Sequence, residues 1–435
     1  MPNGITVAII AIIIFLILIF MGMNIGLAML LVGFVGYMYM INFTAALGVV
    51  RTAPVDTASK YSYIVIPLFI LMGNFAFHAG LSDALYNAAS KWLSRLPGSL
   101  ACATIAACAC FGAICGSTAA TAATMGAIAM PEMRSRGYND ALSTGSLAVG
   151  GTLGILIPPS TPMIIYAIIA ECSIGKLFSA GILPGIILAC LYIIFIVIRV
   201  KLHPDWAPPP TSTPWRERFA SLKGLIGVVV LFGVTLGGMF AGLFSVNQAS
   251  AIGAFLAFLL MIVNRKLTWK SFFTAMKDTV TTTAMTMLIM MGAMVFCTFL
   301  AVTGLPSAMA DAIGGLNVSK YVILIIMTAI YMVLGMFMDG MAMVILTVPI
   351  FLPVVEALGW DSIWFGIYII ITMEMGAISP PVGLNLFVIY KTAKDVPLHT
   401  IYRGAIPYIA VQWIMCIIIA VFPTIVTFVP NFVAG

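Results

Sequence analysis

The sequence contains very little charge. Only 8% of its 435 residues are Asp, Glu, Lys or Arg, whereas 62% are hydrophobic. Soluble domains carry about 25% charged residues. A chain of this composition cannot hide its apolar surface in water, so a soluble globular protein is excluded. The formal net charge of +6 does not indicate a nucleic-acid partner, because basic residues in membrane proteins mainly report orientation.

The residues of metal and nucleotide chemistry are also scarce. The three histidines, His78, His203 and His399, lie far apart, and the eight cysteines form no C-x-x-C pair. No G-x-x-x-x-G-K-[ST] phosphate-binding loop occurs. The sequence therefore predicts no cofactor, no transition metal, no ATP hydrolysis and no enzyme activity.

Long apolar runs dominate the chain and predict an all-α polytopic membrane protein. A helix needs about 20 apolar residues to cross the lipid bilayer, and these runs do not alternate as barrel strands do. The first run lacks the basic start of a signal peptide, so we interpret it as a retained span. The ten predicted spans lie near residues 5–22, 25–41, 62–80, 138–169, 179–200, 224–241, 246–264, 281–304, 361–390 and 404–428.

Two further apolar regions are interrupted by small or polar residues. Region 98–133 contains CGST at 115–118, and region 321–356 contains MDG at 338–340. Each is either a re-entrant hairpin or a pair of crossing helices. With two hairpins and a periplasmic N-terminus, 16 of the 20 basic residues face the cytoplasm. The positive-inside rule favours that topology, which makes both termini periplasmic. Two crossing pairs would give the same bias, so that alternative stays open.

The two halves of the chain resemble each other. When the sequence is shifted by 222 positions, GILIPPSTP at 154–162 falls on GAISPPVGL at 376–384, and Pro131 falls on Pro353. The predicted topology places an odd number of crossings between the copies, so the second copy is inverted. Inverted repeats with helices broken at matching places indicate a secondary transporter with its site at the bilayer midplane.

The repeat predicts the division of the chain. We expect scaffold helices and a surface arm helix over 1–60, followed by a first repeat over 61–200 that contains hairpin 98–133 and broken helix 138–169. A cytoplasmic linker over 201–223 leads to scaffold helices and a second arm helix over 224–280. The second repeat covers 281–435 and contains hairpin 321–356 and broken helix 361–390.

The breaks and hairpin tips predict the binding sites. Freed carbonyls at a helix break are oxygen ligands that suit sodium, and half-helix N-termini attract carboxylates. Such backbone is tolerated at membrane depth only beside a cavity or within protein. The candidate sodium-binding residues are Gly116, Ser117, Gly154, Pro158, Asp339, Gly340, Gly376 and Pro380. The candidate substrate-binding residues are Ser117, Thr118, Pro159, Ser160, Thr161, Pro381, Gly383 and Asn385.

Two acidic residues fall near these elements. Asp339, at the second tip, has three open roles: ligand to a cation, partner of a basic group, or N-cap of the returning helix. Glu374, just before the second break, has three others: carrying a proton, holding the break by hydrogen bonds, or facing a neighbouring helix. Charged residues at this depth are usually functional.

Five stretches together resemble the large membrane subunit of tripartite ATP-independent periplasmic (TRAP) transporters. They read GNFAFHAGL, CGSTAATAATMGAIAMPEMRSRGY, GTLGILIPPSTPMIIY, FMDGMAMVILTVPIFLPV and MGAISPPVGLNLFVIY. The resemblance covers nearly the whole chain and is specific as a set.

The resemblance implies sodium-driven import of a small organic acid by an elevator motion in the bacterial inner membrane. It also implies two partners, a small four-helix membrane subunit and a periplasmic substrate-binding protein. Two alternatives stay open. One is a stand-alone sodium- or proton-coupled dicarboxylate transporter without a binding protein, and the other, less favoured, is an anion channel.

Overall fold

The computed structural model describes residues 4–314 and 319–434, and within those ranges every regular element is helical. Residues 1–3, 315–318 and 435 of the predicted division lie outside the described residues. The α-helices are Gly4–Phe20 (α1), Ile25–Met40 (α2), Phe43–Ser59 (α3), Val65–His78 (α4), Leu81–Trp92 (α5), Ser99–Cys115 (α6), Thr118–Ser135 (α7), Asp140–Leu156 (α8), Thr161–Ile169 (α9), Ile174–Leu202 (α10), Trp215–Leu222 (α11), Ile226–Phe232 (α12), Gly238–Phe240 (α13), Val246–Val263 (α14), Trp269–Thr303 (α15), Leu305–Gly314 (α16), Lys320–Gly335 (α17), Gly340–Ala357 (α18), Ser362–Ala377 (α19), Leu384–Thr392 (α20), Leu398–Val421 (α21) and Thr424–Ala434 (α22).

The helices confirm an all-helical membrane protein. Seven of the helical stretches in the described residues are long and apolar enough to cross a bilayer, and the bent pair α8 and α9, with 42° between its halves, makes an eighth. Five shorter apolar helices, α1, α2, α6, α17 and α19, accompany them. Length and composition thus support seven or eight spans, and the count of ten stays a prediction.

The segment in which the second arm helix is predicted, 224–280, ends inside a long helix. α15 runs without interruption from Trp269 to Thr303, 35 residues. Thr268 caps its start by accepting a hydrogen bond from the Ser271 amide at 3.0 Å. No proline lies between residues 269 and 303, so the helix continues without a break into the apolar span that starts near residue 281.

The predicted linker, 201–223, has an extended part followed by a helical part. Its proline-rich part is extended and tied down, because the Asn139 amide donates to the Trp206 carbonyl at 2.9 Å and the Thr211 amide donates to the Ser94 carbonyl at 3.1 Å. After Pro214 the chain becomes helical and stays so to Phe240. Proline is favoured just before or at the first turn of a helix, and none follows to stop this one.

Each hairpin packs closely on the broken helix of its own repeat. A β-carbon on Gly112 of α6 would fall on the backbone of Gly154 in α8, and one on Gly335 of α17 would lie 3.0 Å from the Cα of Gly376 in α19. Gly112 and Gly335 are nearly equivalent in the repeat, as are Gly154 and Gly376. Glycine at these four positions lets the backbones approach, as is common between membrane helices.

Polar contacts join the two repeats. Arg134, near the end of α7, pairs with Asp140 of the first repeat at 3.1 Å and with Asp395 of the second at 2.6 Å. The hydrogen bond from Arg134 holds the pKa of the exposed Asp395 carboxyl below its usual value. The Asn385 amide group donates to the Ala148 carbonyl at 3.0 Å. The hairpins and broken helices therefore form one connected block.

Candidate functional site

Both hairpin tips end one helix and cap the next. In the first, Gly116 adopts φ +63°, which favours glycine, and the Ser117 hydroxyl accepts from the Ala120 amide at 3.4 Å. In the second, an Asp339 carboxylate oxygen accepts from the Met341 amide at 3.2 Å. Of the three roles open for Asp339, capping of the returning helix is therefore the one that the geometry shows.

The breaks lie where the prolines predicted them. α8 ends at Leu156 and α9 begins at Thr161, while α19 ends at Ala377 and α20 begins at Leu384. The Pro158–Pro159 and Pro380–Pro381 peptide bonds are cis. The non-helical backbone of each break, 157–160 and 378–383, interrupts the regular helical hydrogen-bond pattern.

Each tip meets the break of its own repeat. A β-carbon on Gly116 would lie 3.2 Å from the Pro159 carbonyl oxygen and 3.6 Å from the Thr161 amide nitrogen. The Gly383 amide donates to the Met336 carbonyl at 3.3 Å. The first break therefore faces the CGST tip, and the second pair has the corresponding arrangement.

A cavity of about 340 Å³ lies where these elements converge, and its walls come from both repeats. Seven of the predicted site residues line it: Gly116, Ser117, Thr118, Thr161, Asp339, Gly340 and Asn385. Eight others are not among its lining residues: Gly154, Pro158, Pro159, Ser160, Gly376, Pro380, Pro381 and Gly383. The structure thus brings together the two tips, the start of α9 and the start of α20.

The residues outside the cavity wall have other contacts. Gly154 and Gly376 form the close helix contacts described above. The carbonyl of Pro381 accepts a hydrogen bond from the Tyr402 hydroxyl, which also donates to the Val382 carbonyl at 3.1 Å. The Ser160 hydroxyl is fully buried and has no hydrogen-bond partner among residues 4–314 and 319–434. The second break is therefore partly satisfied by α21, a contact that the sequence did not reveal.

Three polar cavity residues escaped prediction: Asn74, Thr282 and Lys391. Lys391 could have been found from helical spacing in the sequence. It lies on the same face of α20 as three other residues that line the cavity, Leu384, Phe387 and Val388. Asn74 and Thr282 carried no such signal, since they come from α4 and α15, outside the repeated motifs. Asn74 also donates to Thr279 of α15 at 2.8 Å.

Glu374 lines the cavity and contacts the other repeat. The Thr118 hydroxyl donates to its Oε1 at 2.9 Å, although the two residues are 256 positions apart. The side chain is 5% exposed, and Oε2 is buried with no hydrogen-bond partner in the part of the chain that the structure describes. One oxygen of the carboxyl group therefore holds the first tip, and the other is available to a ligand, because buried polar atoms rarely stay unpaired.

We expect Thr118 and Glu374 to act as a pair. In a double-mutant cycle of Thr118→Val and Glu374→Gln, the effects on the uptake rate should fall short of additivity by about 0.5–3 kcal/mol, as for residues in direct contact. The control cycle uses Tyr331→Phe and Thr347→Val, whose hydroxyls bond at 2.7 Å away from the cavity. That pair should couple in thermal stability and leave uptake unchanged. Additive effects of Thr118→Val and Glu374→Gln on uptake would contradict the pairing.

Comparison with known proteins identifies the family. Residues 12–425 match the family described as the tripartite ATP-independent periplasmic transporter, DctM component. The C4-dicarboxylate TRAP transporter large permease protein DctM of Pseudomonas aeruginosa is 35% identical over 379 residues, 86% of this chain and 88% of the relative. The sialic acid TRAP transporter large permease protein SiaM of Vibrio cholerae is 30% identical, over 96% of this chain and 97% of the relative.

One further relative is named for a different cargo, and one solved structure has a similar fold. The ectoine TRAP transporter large permease protein TeaC of Halomonas elongata is 30% identical, over 84% of this chain and 86% of the relative. Among solved structures, the YdaH transporter of Alcanivorax borkumensis superposes with a TM-score of 0.62 at 16% identity, over 88% of this chain and 90% of that one, which is a likeness of fold alone. From the match over residues 12–425 and these full-length relatives, the chain belongs to the DctM family, the large membrane subunits of TRAP transporters.

Proposed function

We propose that this subunit imports a small organic acid by sodium-coupled secondary transport with an elevator motion. It would work with a small four-helix membrane subunit and a periplasmic substrate-binding protein. The central cavity carries this proposal, because hairpin tips and broken helices from both repeats supply its wall. An arrangement of this kind suits alternating access around a midplane site.

The sodium ion is assigned to the tips and the adjacent backbone. Asp339 supplies a carboxylate, and Gly116, Ser117 and Gly340 supply oxygen atoms beside it along the cavity wall. Hard cations prefer such oxygen ligands. The carbonyls of Gly154, Pro158, Gly376 and Pro380 remain candidates that would require the breaks to shift toward the cavity.

The cargo carboxylate is assigned to the backbone amide of Thr118, the hydroxyl group of Thr161 and the side-chain amide of Asn385, with the buried Ser160 hydroxyl behind them. The Thr118 hydroxyl proton is already donated to Glu374. Lys391 adds a positive charge at the same cavity. A volume of about 340 Å³ lies at the small end of ligand pockets, which fits a small acid. Relatives of this chain are named as transporters of C4-dicarboxylate, sialic acid and ectoine, and a C4-dicarboxylate is small enough for this cavity.

The elevator motion is supported by the contacts that cross the repeats. The Arg134–Asp395 ion pair, the Thr118–Glu374 hydrogen bond and the Asn385 side chain join the two halves of the site. A block tied in this way would move as one body against the scaffold helices. Because sodium carries charge, the membrane potential would contribute about 2.3 kcal/mol per charge per 100 mV.

Transport in proteoliposomes tests the proposal. With the small subunit and a candidate binding protein present, we expect saturable uptake that requires a sodium gradient. Ser117→Ala should raise the sodium concentration for half-maximal uptake about tenfold, the effect of roughly 1.4 kcal/mol. The control Ser146→Ala removes a buried hydroxyl that bonds only to the Ser143 carbonyl and should have no effect.

The same assay separates the alternatives. Uptake driven by protons alone would overturn sodium coupling. Full uptake without the binding protein would favour a stand-alone transporter, and flux that does not saturate would favour a channel.

A further inference from the structure

A second cavity lies at the corner where α14 ends and α15 begins. It has a volume of about 450 Å³ and is lined by Phe258, Leu267, Thr268, Trp269 and Phe272. None of these residues lines the central cavity. All but Thr268 are apolar, so the groove suits a hydrocarbon chain rather than a carboxylate.

The aromatic side chains of this groove are held in place by contacts with one another. Phe272 packs edge-on against Phe258 at 6.0 Å and stacks with Phe75 at 5.9 Å, while Trp269 stacks on Phe273 at 5.8 Å. Trp269 is nevertheless 78% exposed and Phe273 62% exposed. Tryptophan is enriched at the level of lipid headgroups, which places this corner at the membrane surface.

The loop beside the groove is held in one conformation. Arg265 adopts φ +55°, a left-handed geometry that costs roughly 1–2 kcal/mol for a residue with a β-carbon. The Lys266 amide donates to the Met261 carbonyl at 2.9 Å, and the Asn264 side chain donates to the Ala79 carbonyl at 2.9 Å. These bonds fix Arg265 and Lys266 next to the residues that line the groove.

The charge around the groove is positive and uncompensated. Arg265, Lys266 and Lys270 are exposed, and none forms an ion pair within the part of the chain that the structure describes. Residues 264–276 include no acid, and the next residues, Lys277 and Asp278, carry opposite charges. Three cations beside an apolar groove complement a molecule with an anionic head and a hydrocarbon tail.

We propose that this corner binds an anionic phospholipid. Its acyl chain occupies the groove between Phe258, Trp269 and Phe272, and its phosphate contacts Arg265, Lys266 and Lys270. Each basic residue near an anionic membrane surface adds a comparable increment of attraction, and the fixed groove gives that attraction one location. This site is independent of cargo and sodium binding, so it stands or falls separately from the proposed function.

Native mass spectrometry of the purified subunit tests the site, with phosphatidylglycerol and phosphatidylcholine of equal chain length as probes. We expect the protein to retain phosphatidylglycerol preferentially. The triple variant R265Q/K266Q/K270Q should weaken that binding on the order of 100-fold, and phosphatidylcholine binding much less, because choline already offsets the phosphate charge of that lipid. The matched control K201Q/R216Q/K223Q removes three other exposed basic residues and should retain the preference.

Further variants keep the result interpretable. Trp269→Ala should weaken both lipids about tenfold, because it removes groove surface and no charge. The single variant K270Q covers the case in which the triple variant does not fold, and it should weaken phosphatidylglycerol about fivefold. Inorganic phosphate should not compete. An unchanged lipid preference in the triple variant or K270Q, or an equal loss in the control, would overturn the proposal.

Discussion

Replacing Asp339 by alanine is expected to abolish sodium-dependent uptake. The side chain lines the central cavity at the second tip and forms its single described hydrogen bond with the Met341 amide at 3.2 Å. The carboxylate is exposed to this cavity, so its loss removes a charged contact worth about 1.5–3 kcal/mol. Sodium affinity should therefore fall about 10- to 100-fold, because each 1.4 kcal/mol is tenfold.

The cap formed by Asp339 makes a control essential. Asp361 has the same capping role at the start of α19, where its carboxylate accepts from the amides of Ile363 at 2.8 Å and Trp364 at 2.9 Å. It does not line the central cavity. Loss of either cap should cost about 1 kcal/mol of stability, so Asp361→Ala should lower the melting temperature slightly and leave sodium dependence intact.

The two variants separate capping from ion binding. Sodium-dependent uptake and sodium-induced thermal stabilisation should both disappear in Asp339→Ala alone. Asp339→Asn, which retains a capping oxygen but not the charge, should restore stability without restoring sodium dependence. If Asp339→Ala and Asp361→Ala reduce uptake equally, Asp339 is only a helix cap and its assignment to sodium is wrong.

The sequence predicted those parts of the site that depend on local chain chemistry. The Pro-Pro pairs predicted both breaks, because proline cannot continue a helix, and the CGST and MDG stretches predicted both tips. The repeat predicted that these elements belong together. These are properties of short segments and of their order, which periodicity and proline placement record directly.

Contacts between residues that are far apart in the sequence could not be predicted from local patterns. The Thr118–Glu374 hydrogen bond and the Tyr402 contact with the second break join residues of different elements, and no local pattern marks either. The continuity of α15 was not predicted for a different reason, because the apolar span starts near residue 281 and the helix starts at Trp269, more than three turns earlier. Hydrophobicity reports the span, whereas the cap at Thr268 determines the start of the helix.

Gly112→Val should destabilise the protein more than any other change considered above. The added side chain would overlap the backbone of Gly154, so α6 and α8 must move apart along a contact where both helices are buried. Overpacking of a core costs about 1–3 kcal/mol, and more when backbone must shift. We expect a cost on the order of 3 kcal/mol, measured by thermal unfolding in detergent, together with loss of uptake.

The matched variants decide whether packing is the cause. A β-carbon on Gly48 of α3 would meet no heavy atom of the described residues within 4 Å, so Gly48→Val should have no destabilising overlap. Gly335→Val, at the equivalent contact of the second repeat, should behave like Gly112→Val, because its β-carbon would lie 2.6 Å from the Met373 carbonyl oxygen. If Gly112→Val were as stable as Gly48→Val, the close contact would not exist. Gly154 would then not be needed for packing against α6. Its predicted role in sodium binding would be the remaining reason for a glycine at this position.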